Sequence, residues 1–373
     1  MMSRLLPSRA VWLAFFLHCA VVGVALVLAQ FLPQHETLGF VNPDLPAAPP
    51  LIENFIRWDA QWYTYIAEHG YTQQTIVFFP GLPALIRAVS YLGLNTAVAG
   101  FAVCNLCSFI SFSLLYRLCR LDYPESVSRR ALLAYAVLPT AFFLNSIYTE
   151  ALFIVCSLAS IYFARTGRWW WAGMFAAAAT LTRNLGLCLI FPLLYEYMYG
   201  RRPRKALPGA AFLLLAPLAL FAYMAYNYSL TGDPIAFVHS QRLWGREFGW
   251  PWNNIAGNIR LIFSPDWTVV PGTILDSVTV PAFLAGLLTL TLSTRLVIQE
   301  SYLILGWLWL LIPLFSSTPA FPLYSMSRFV LVIFPFYLFV AQLPRGSYRC
   351  YIAVSAILML LCTALFVNWY WIG

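Results

Sequence analysis

Asp59 sits in a stretch dense in indole and phenol rings. Arg57-Trp58-Asp59-Ala60-Gln61-Trp62-Tyr63 is followed by Glu68-His69-Gly70-Tyr71 and by Phe78-Phe79-Pro80-Gly81-Leu82-Pro83. A carboxylate in such surroundings can take a proton from a hydroxyl, and aromatic faces suit sugar rings. Trp58 to His69 contains no Pro or Gly and reads as a helix, with Trp58, Trp62, Tyr65 and Ile66 on one apolar stripe suited to a membrane interface. Asp59 and Tyr63 lie one turn apart on an adjoining face. Glu68 stands nine positions beyond Asp59, roughly opposite at about 100° per residue. One carboxylate can therefore serve a given pocket, and Asp59 is the candidate base. The competing reading is an interfacial aromatic belt carrying one solvated aspartate.

Four more segments offer polar chemistry. Asn145-Ser146-Ile147-Tyr148-Thr149-Glu150 places a carboxylate at the mouth of an apolar run, and Thr182-Arg183-Asn184 separates two others. His239-Ser240-Gln241-Arg242-Leu243-Trp244-Gly245 lies in a long loop, and Tyr324-Ser325-Met326-Ser327-Arg328 opens a further run. An arginine at the end of a membrane run is costly unless paired, and a phosphate is a partner its planar fork suits. Arg183 and Arg328 are the candidates for that role, with Arg242 in reserve. The competing readings are snorkelling and an internal ion pair, Arg183 with Glu150.

Hydrophobic residues make up 61% of the 373 residues and charged residues 10%. A soluble surface needs far more charge, so the chain reads as an all-α polytopic membrane protein. Lipid demands that backbone groups pair within helices, and a closed barrel would alternate instead of showing long apolar runs. Runs near 11–32, 97–118, 131–147, 149–165, 169–182, 184–199, 207–228, 271–293, 301–316, 329–343 and 350–370 give about eleven transmembrane helices. The first reads as a retained anchor, not a cleaved signal peptide. One integral domain spanning 1–373 is expected.

Basic residues concentrate in cytoplasmic loops. With the N-terminus inside, 15 of the 22 fall there: Arg4, Arg9, Arg117, Arg120, Arg129, Arg130, Arg165, Arg168, Arg201, Arg202, Arg204, Lys205, Arg295, Arg345 and Arg349. Ten of the 14 acidic residues fall on the other face. The net charge of +8 is thus a record of insertion and calls for no nucleic-acid partner. The outer face carries two long stretches, 33–96 and 229–270, and with them Asp59, Glu150, Arg183, Arg242 and Arg328.

Trp58-Asp59-Ala60, Ile66-Ala67-Glu68-His69-Gly70-Tyr71 and Phe78-Phe79-Pro80-Gly81-Leu82-Pro83 together resemble the opening loop of the GPI mannosyltransferase 2 (PIG-V) family. The resemblance extends to Tyr148-Thr149-Glu150-Ala151-Leu152-Phe153 and to Thr182-Arg183-Asn184-Leu185-Gly186. It implies a GT-C glycosyltransferase fold with long outer loops. It also implies transfer of mannose, with inversion, from a polyprenyl- or dolichyl-phosphate sugar to a lipid-linked glycan. Asp59 would be the base. Trp58, Trp62, Tyr63, Glu68, His69, Phe79, Pro80, Glu150, Arg183, Asn184, Gln241, Arg242, Trp244 and Arg328 would surround donor and substrate. The family works at the lumenal face in GPI-anchor biosynthesis. The short chain resembles prokaryotic relatives, which points to a plasma membrane with its active face outside, or to the endoplasmic reticulum in a eukaryote. A prokaryote without the GPI pathway would use another membrane acceptor.

A lipid-phosphate donor needs no nucleotide site, and the chain has no Walker A motif or dinucleotide fingerprint. No cofactor is expected beyond the lipid-phosphate sugar donor, and no metal ligand is assigned, since His18, His35, His69 and His239 are scattered; a divalent-metal requirement stays open. Cys104 and Cys107 have redox spacing but fall inside an apolar run, where packing is the expected role. Asn227-Tyr228-Ser229 is a formal glycosylation sequon beside a span. The alternative function is a multi-pass transporter or lipid flippase, which would recruit Arg183, Glu150 and Pro217 near mid-membrane.

Overall fold

The computed structural model describes residues 8–35, 44–45, 47–200, 207–265 and 270–373. Arg4, Arg201, Arg202, Arg204 and Lys205 of the inner basic set lie outside the described residues, as does part of each long loop. The chain is built of helices α1 (Arg9–Ala29), α2 (Asp59–His69), α3 (Gly81–Ser90), α4 (Thr96–Asp122), α5 (Glu125–Ala136), α6 (Thr149–Arg165) and α7 (Trp169–Thr182). It continues with α8 (Ile190–Tyr199), α9 (Leu215–Thr231), α10 (Pro251–Leu261), α11 (Val270–Leu292), α12 (Glu300–Leu311), α13 (Pro335–Gln342) and α14 (Arg345–Val367). One small ribbon pairs β1 (Glu247–Phe248) antiparallel to β2 (Ser316–Ser317), with Glu247 opposite Ser317.

Local chemistry sets several boundaries. Ser8 caps α1 by accepting from the Val11 amide, and Asn95 caps α4 by accepting from Val98 at 2.8 Å. α2 starts at Asp59, one residue later than the sequence pattern suggests, because Trp58 has φ 51° and lies outside the helical region. A carboxylate in the first turn of a helix also complements the helix dipole.

All eleven apolar runs fall on helical segments, but among the described residues five helices are long and apolar enough to cross a membrane: Arg9–Ala29, Thr96–Asp122, Ala211–Thr231, Val270–Leu292 and Arg345–Val367. The other six runs are shorter or broken. Pro139 lies between α5 and the 3-10 turn Ala141–Leu144. Pro313 opens the tight turn Pro313–Phe315 after α12, and Pro335 restarts the helix after the turn Val330–Val332. Proline removes the amide that a continuing helix would use.

α6 packs between α4 and α7, α7 also meets α9, α1 lies along α14, and α5 lies on α13. Among the described residues a large buried core runs from Val11 to Ile372, and a small second cluster joins Ile76, Phe79, Tyr223 and Ala236. The two ends of α6 mark two polar centres, Glu150 in its first turn and Arg165 in its last, about 22 Å apart at the helical rise. At the Arg165 end, the guanidinium reaches Asp122 at 2.5 Å and Glu196 at 3.4 Å. Tyr302 donates to Asp122 at 2.9 Å and Ser301 donates to Glu196 at 2.6 Å. This network pins α4, α6, α8 and α12 together at the end away from Asp59.

The eight cysteines are free, with Cys104 and Cys107 packed inside α4. Asn227 is buried; its amide donates to the Tyr223 carbonyl at 2.6 Å and accepts from the Phe237 amide at 3.1 Å, so the sequon is closed in the fold.

Candidate active site

Two carboxylates and two guanidinium groups form a continuous chain. Arg328 Nη1 donates to Asp59 Oδ2 at 2.9 Å, and Arg328 Nε lies 3.5 Å from Glu150 Oε1. The same Glu150 oxygen meets Arg183 Nη1 at 3.0 Å. The Glu150 side chain is fully buried and that of Arg328 is 3% exposed, whereas Asp59 and Arg183 each keep 15%. The interior pair is thus neutralised inside, and the two outer members turn toward open space. Phe329 lies under both guanidinium groups, 5.0 Å from Arg183 and 5.2 Å from Arg328.

Helix ends and strained backbone bring these groups together. Glu150 opens α6, Arg183 follows α7 and Asp59 opens α2, while Arg328 sits on the single turn Met326–Phe329. Among the described residues, the non-glycine positions with positive φ are Trp58, Tyr324, Ser325 and Trp369. Trp58 precedes Asp59, and Tyr324 and Ser325 precede the turn bearing Arg328. The Trp369 ring meets Trp58 edge-on at 5.9 Å and stacks on the Arg57 guanidinium at 4.6 Å. Strain of this kind costs about 1–3 kcal/mol per residue and persists where surrounding structure imposes it.

The surroundings that impose it are visible. Arg57 donates to the carbonyls of Val367 at 3.0 Å and Glu53 at 2.7 Å, and Tyr148 donates to the Arg57 carbonyl at 3.0 Å. Burial pulls the Arg57 pKa down to about 10, against the opposing charge of Glu53. Ser325, in the left-handed region, does not cap its own turn; Asp276 on α11 does so instead, accepting from the Ser327 amide at 2.6 Å. Thr140 holds the same residue from the other side, donating to its carbonyl at 2.7 Å. Gly81 lets α3 start against the end of α7: a Cβ there would fall 2.6 Å from Thr182 Oγ1 and 3.0 Å from the Leu181 carbonyl.

Asp59 opens into a cavity of about 530 Å³ whose lining includes Tyr63, Phe79, Arg183, Asn184, Gln241, Arg242, Trp244 and Arg328. Four arginines face two carboxylates in it, since Arg246 and Glu247 also line it. Arg242 is exposed, and its side chain makes no hydrogen bond or ion pair among the described residues. Arg246 donates to Gln241 at 2.9 Å and to the Tyr324 hydroxyl, and its guanidinium lies 4.0 Å over the Tyr324 ring. Burial and the adjacent Asp59 push the Tyr63 phenol well above its usual pKa, so it is a hydroxyl donor across the working range.

The remaining candidates lie elsewhere. Trp58 and Trp62 do not line the cavity; Trp58 packs on Trp369 and Trp371, while Trp62 backs the lining residues, meeting Trp244 edge-on at 5.4 Å and stacking with Phe78 at 6.4 Å. Glu150 is sealed beneath it and Pro80 precedes α3. Glu68 is exposed at the far end of α2, and His69 is within 3.2 Å of the Asp44 carbonyl; neither lines the cavity. Arg246 and Asp276 escaped the sequence reading, and Tyr324 entered it only as part of the segment that carries Arg328. Asp276 had a legible signal, a lone carboxylate inside an apolar run.

The family model described as Mannosyltransferase (PIG-V) matches residues 15–285. The chain belongs to the PIG-V mannosyltransferase family. It is 28% identical over 260 residues to GPI alpha-1,6-mannosyltransferase 2 of Mus musculus, covering 60% of this chain and 53% of that protein. The Homo sapiens protein of the same name matches at 28% over 256 residues, with 59% and 52% covered. The chain therefore spans about half the length of these curated relatives. ArnT from Cupriavidus metallidurans, solved bound to undecaprenyl phosphate, aligns with a TM-score of 0.54 at 14% identity, over 94% of this chain and 64% of that one. That likeness shows the fold, which is of the GT-C type. The family match is to a transferase, which leaves the transporter alternative without support.

Proposed function

We propose that this PIG-V family member transfers a mannosyl group from a polyprenyl-phosphate sugar to a hydroxyl of a membrane acceptor, with Asp59 as base. The observation that carries this is the placement of a partly exposed carboxylate in a cavity rich in arginine. Its Oδ2 is held by Arg328, and the residue lines the cavity.

The acceptor hydroxyl attacks C1 of the sugar, and its proton passes to Asp59. The bond from C1 to the phosphate oxygen breaks, and its electron pair leaves with the lipid phosphate. A single displacement of this kind inverts the anomeric centre. Arg328, already shared between Asp59 and Glu150, serves better as the orienter of the base than as a phosphate ligand. The phosphate role passes to Arg242 and Arg246, with Arg183 at the edge of the same lining. The ArnT likeness, bound in its structure to undecaprenyl phosphate, supports a lipid-phosphate donor in this reading. A lipid-linked glycan is the acceptor class that the resemblance to the GPI enzymes favours.

The active face is extracytoplasmic or lumenal, as the basic-residue bias supports. A single cysteine at exposed Gln73, after replacement of the native cysteines, should react with an impermeant reagent from outside; reaction from the cytoplasm alone would refute this orientation. The central test is release of polyprenyl phosphate from polyprenyl-phosphate mannose by purified protein, stimulated by a lipid-linked glycan. Failure to release it, with uptake of sugar nucleotide instead, would sink the proposed donor.

A further inference from the structure

Helix α10 is amphipathic in the wrong sense for water. Two of its three asparagines, Asn254 and Asn258, are buried, while Asn253 is exposed; Asn254 donates to the Leu314 carbonyl at 2.8 Å, and Asn258 donates to the Thr273 carbonyl at 3.0 Å and to Ser277 Oγ at 2.9 Å. The outward stripe instead carries Trp252, 62% exposed, then Ile259, and Phe263 just beyond the helix at 84%. Arg260 is the one charged residue of the helix. A helix that satisfies two amides inward and turns an aromatic stripe outward beside Asn253 and Arg260 is matched to a membrane interface.

The surrounding follows from continuity. The hydrogen bonds of Asn258 dock α10 directly on α11, a helix long and apolar enough to cross a membrane, whose own exposed residues include Ile274 and Val278. Two tryptophans with a single arginine are the composition of a segment lying at headgroup depth. Trp250 stacks on Trp252 at 4.9 Å with 11° between the planes, and Phe248 meets Trp250 at 5.3 Å and Phe315 at 5.9 Å. Phe248 and Phe315 also line the cavity, so this aromatic ladder runs from the outward stripe of α10 to the cavity mouth.

We propose that residues 248–263 form an interfacial anchor, embedded at the boundary between headgroups and acyl chains on the Asp59 side of the membrane. The anchor holds the cavity mouth at the bilayer surface, so that a lipid-linked substrate reaches it without leaving the membrane. The anchoring itself stands on geometry, while the consequence for substrate rests on the function proposed above.

The test uses full-length protein reconstituted in phosphatidylcholine and phosphatidylglycerol vesicles, with an environment-sensitive fluorophore on single cysteines. Labels at W252C and F263C should emit blue-shifted light, be quenched by lipids carrying a nitroxide near the headgroup, and resist iodide; a label at Q73C should be quenched by iodide. Iodide quenching at 252 and 263 equal to that at 73 would overturn the proposal. Protection from iodide without lipid quenching would also overturn it, by showing a protein partner on the stripe. A second arm compares Trp252→Glu/Phe263→Glu with the parent protein. KM for a long-chain donor should rise about tenfold, whereas a short-chain soluble donor is used unchanged. Equal losses with both donors would refute the link to the cavity. If neither protein uses either donor, the function reading fails while the fluorescence result still decides the anchor.

Discussion

Asp59 and Arg328 are 269 positions apart in sequence, and their side chains meet at 2.9 Å. The contact uses Oδ2 of the aspartate and one terminal nitrogen of a guanidinium that is otherwise enclosed by Phe143, Tyr148 and Phe329. Such enclosure leaves Arg328 little room to swing toward a ligand. Its geometric effect is to fix the plane of the carboxylate, which is what a base aimed at one hydroxyl requires.

Asp59→Asn keeps the volume and removes the basicity, so turnover should fall by a factor of about 10²–10⁴. The protein should still be recovered folded, because the amide oxygen can accept from Arg328. Donor turnover by the purified variant, beside its monodisperse yield, checks both halves. Near-normal turnover would remove Asp59 from the base role.

Arg328→Lys separates orientation from phosphate binding. Lysine keeps the charge and loses the planar fork. If Arg328 orients Asp59, kcat should fall while KM for the donor stays nearly constant. A rise in KM with unchanged kcat would return Arg328 to the phosphate.

Glu150 is the fully buried member of the chain and meets two arginines, whereas Arg183 meets one carboxylate. Glu150→Gln should therefore lower thermal stability more than Arg183→Gln, with breaking of a buried pair costing about 3–5 kcal/mol. The double variant should regain part of the loss, since Arg183 no longer remains unpaired. Thermal midpoints in detergent for the three proteins decide this, and strict additivity would show that the two side chains act independently.

Arg242→Ala and Arg246→Ala address the donor. Arg242 is exposed and makes no internal pair, so its loss should leave folded yield intact and raise KM for the donor about 10-fold or more, the scale of a hydrogen bond to a charged group. Arg246 also stacks on Tyr324, beside the strained residues ahead of Arg328, so its loss should lower kcat as well. Titration with donor distinguishes the two patterns, and an unchanged KM in both variants would place the phosphate elsewhere.

What could be read beforehand follows from range. Arg183 and Glu150 lie at adjacent ends of α6 and α7, packed neighbours joined by the short stretch 166–168, so their pairing was open to a reading from local order. Asp59 stood out because local composition isolates it. Nothing local joins Asp59 to Arg328, because their meeting depends on how the turn Met326–Phe329 is seated by Asp276 and Thr140. The apolar runs located the helical segments, but Pro139, Pro313 and Pro335 break runs that hydropathy alone reads as continuous. Trp58 shows the same limit at one residue: its φ of 51° is imposed by packing on Trp369 and Trp371 and by the Arg57 anchors, not by its own preference.

The loop that brings Gln241, Arg242 and Trp244 to the cavity is tied at its start by Asp233, which accepts from His239 Nδ1 at 2.6 Å and from the Ile235 amide at 3.0 Å. The hydrogen bond from His239 holds the Asp233 carboxyl below its ordinary value of 3.8. A carboxylate depressed in the folded state contributes order that is complete above the unfolded pKa and is lost as pH falls through the lower folded one. The loop should therefore stay ordered down to about pH 4 and loosen below it. A nitroxide on a single cysteine at exposed Leu243 reads this directly. Its mobility should be constant from neutral pH to about 4 and then rise, and in Asp233→Asn it should be high throughout with no such step. A step of the same size in the Asn variant, or none in the parent protein, would show that Asp233 does not hold the loop.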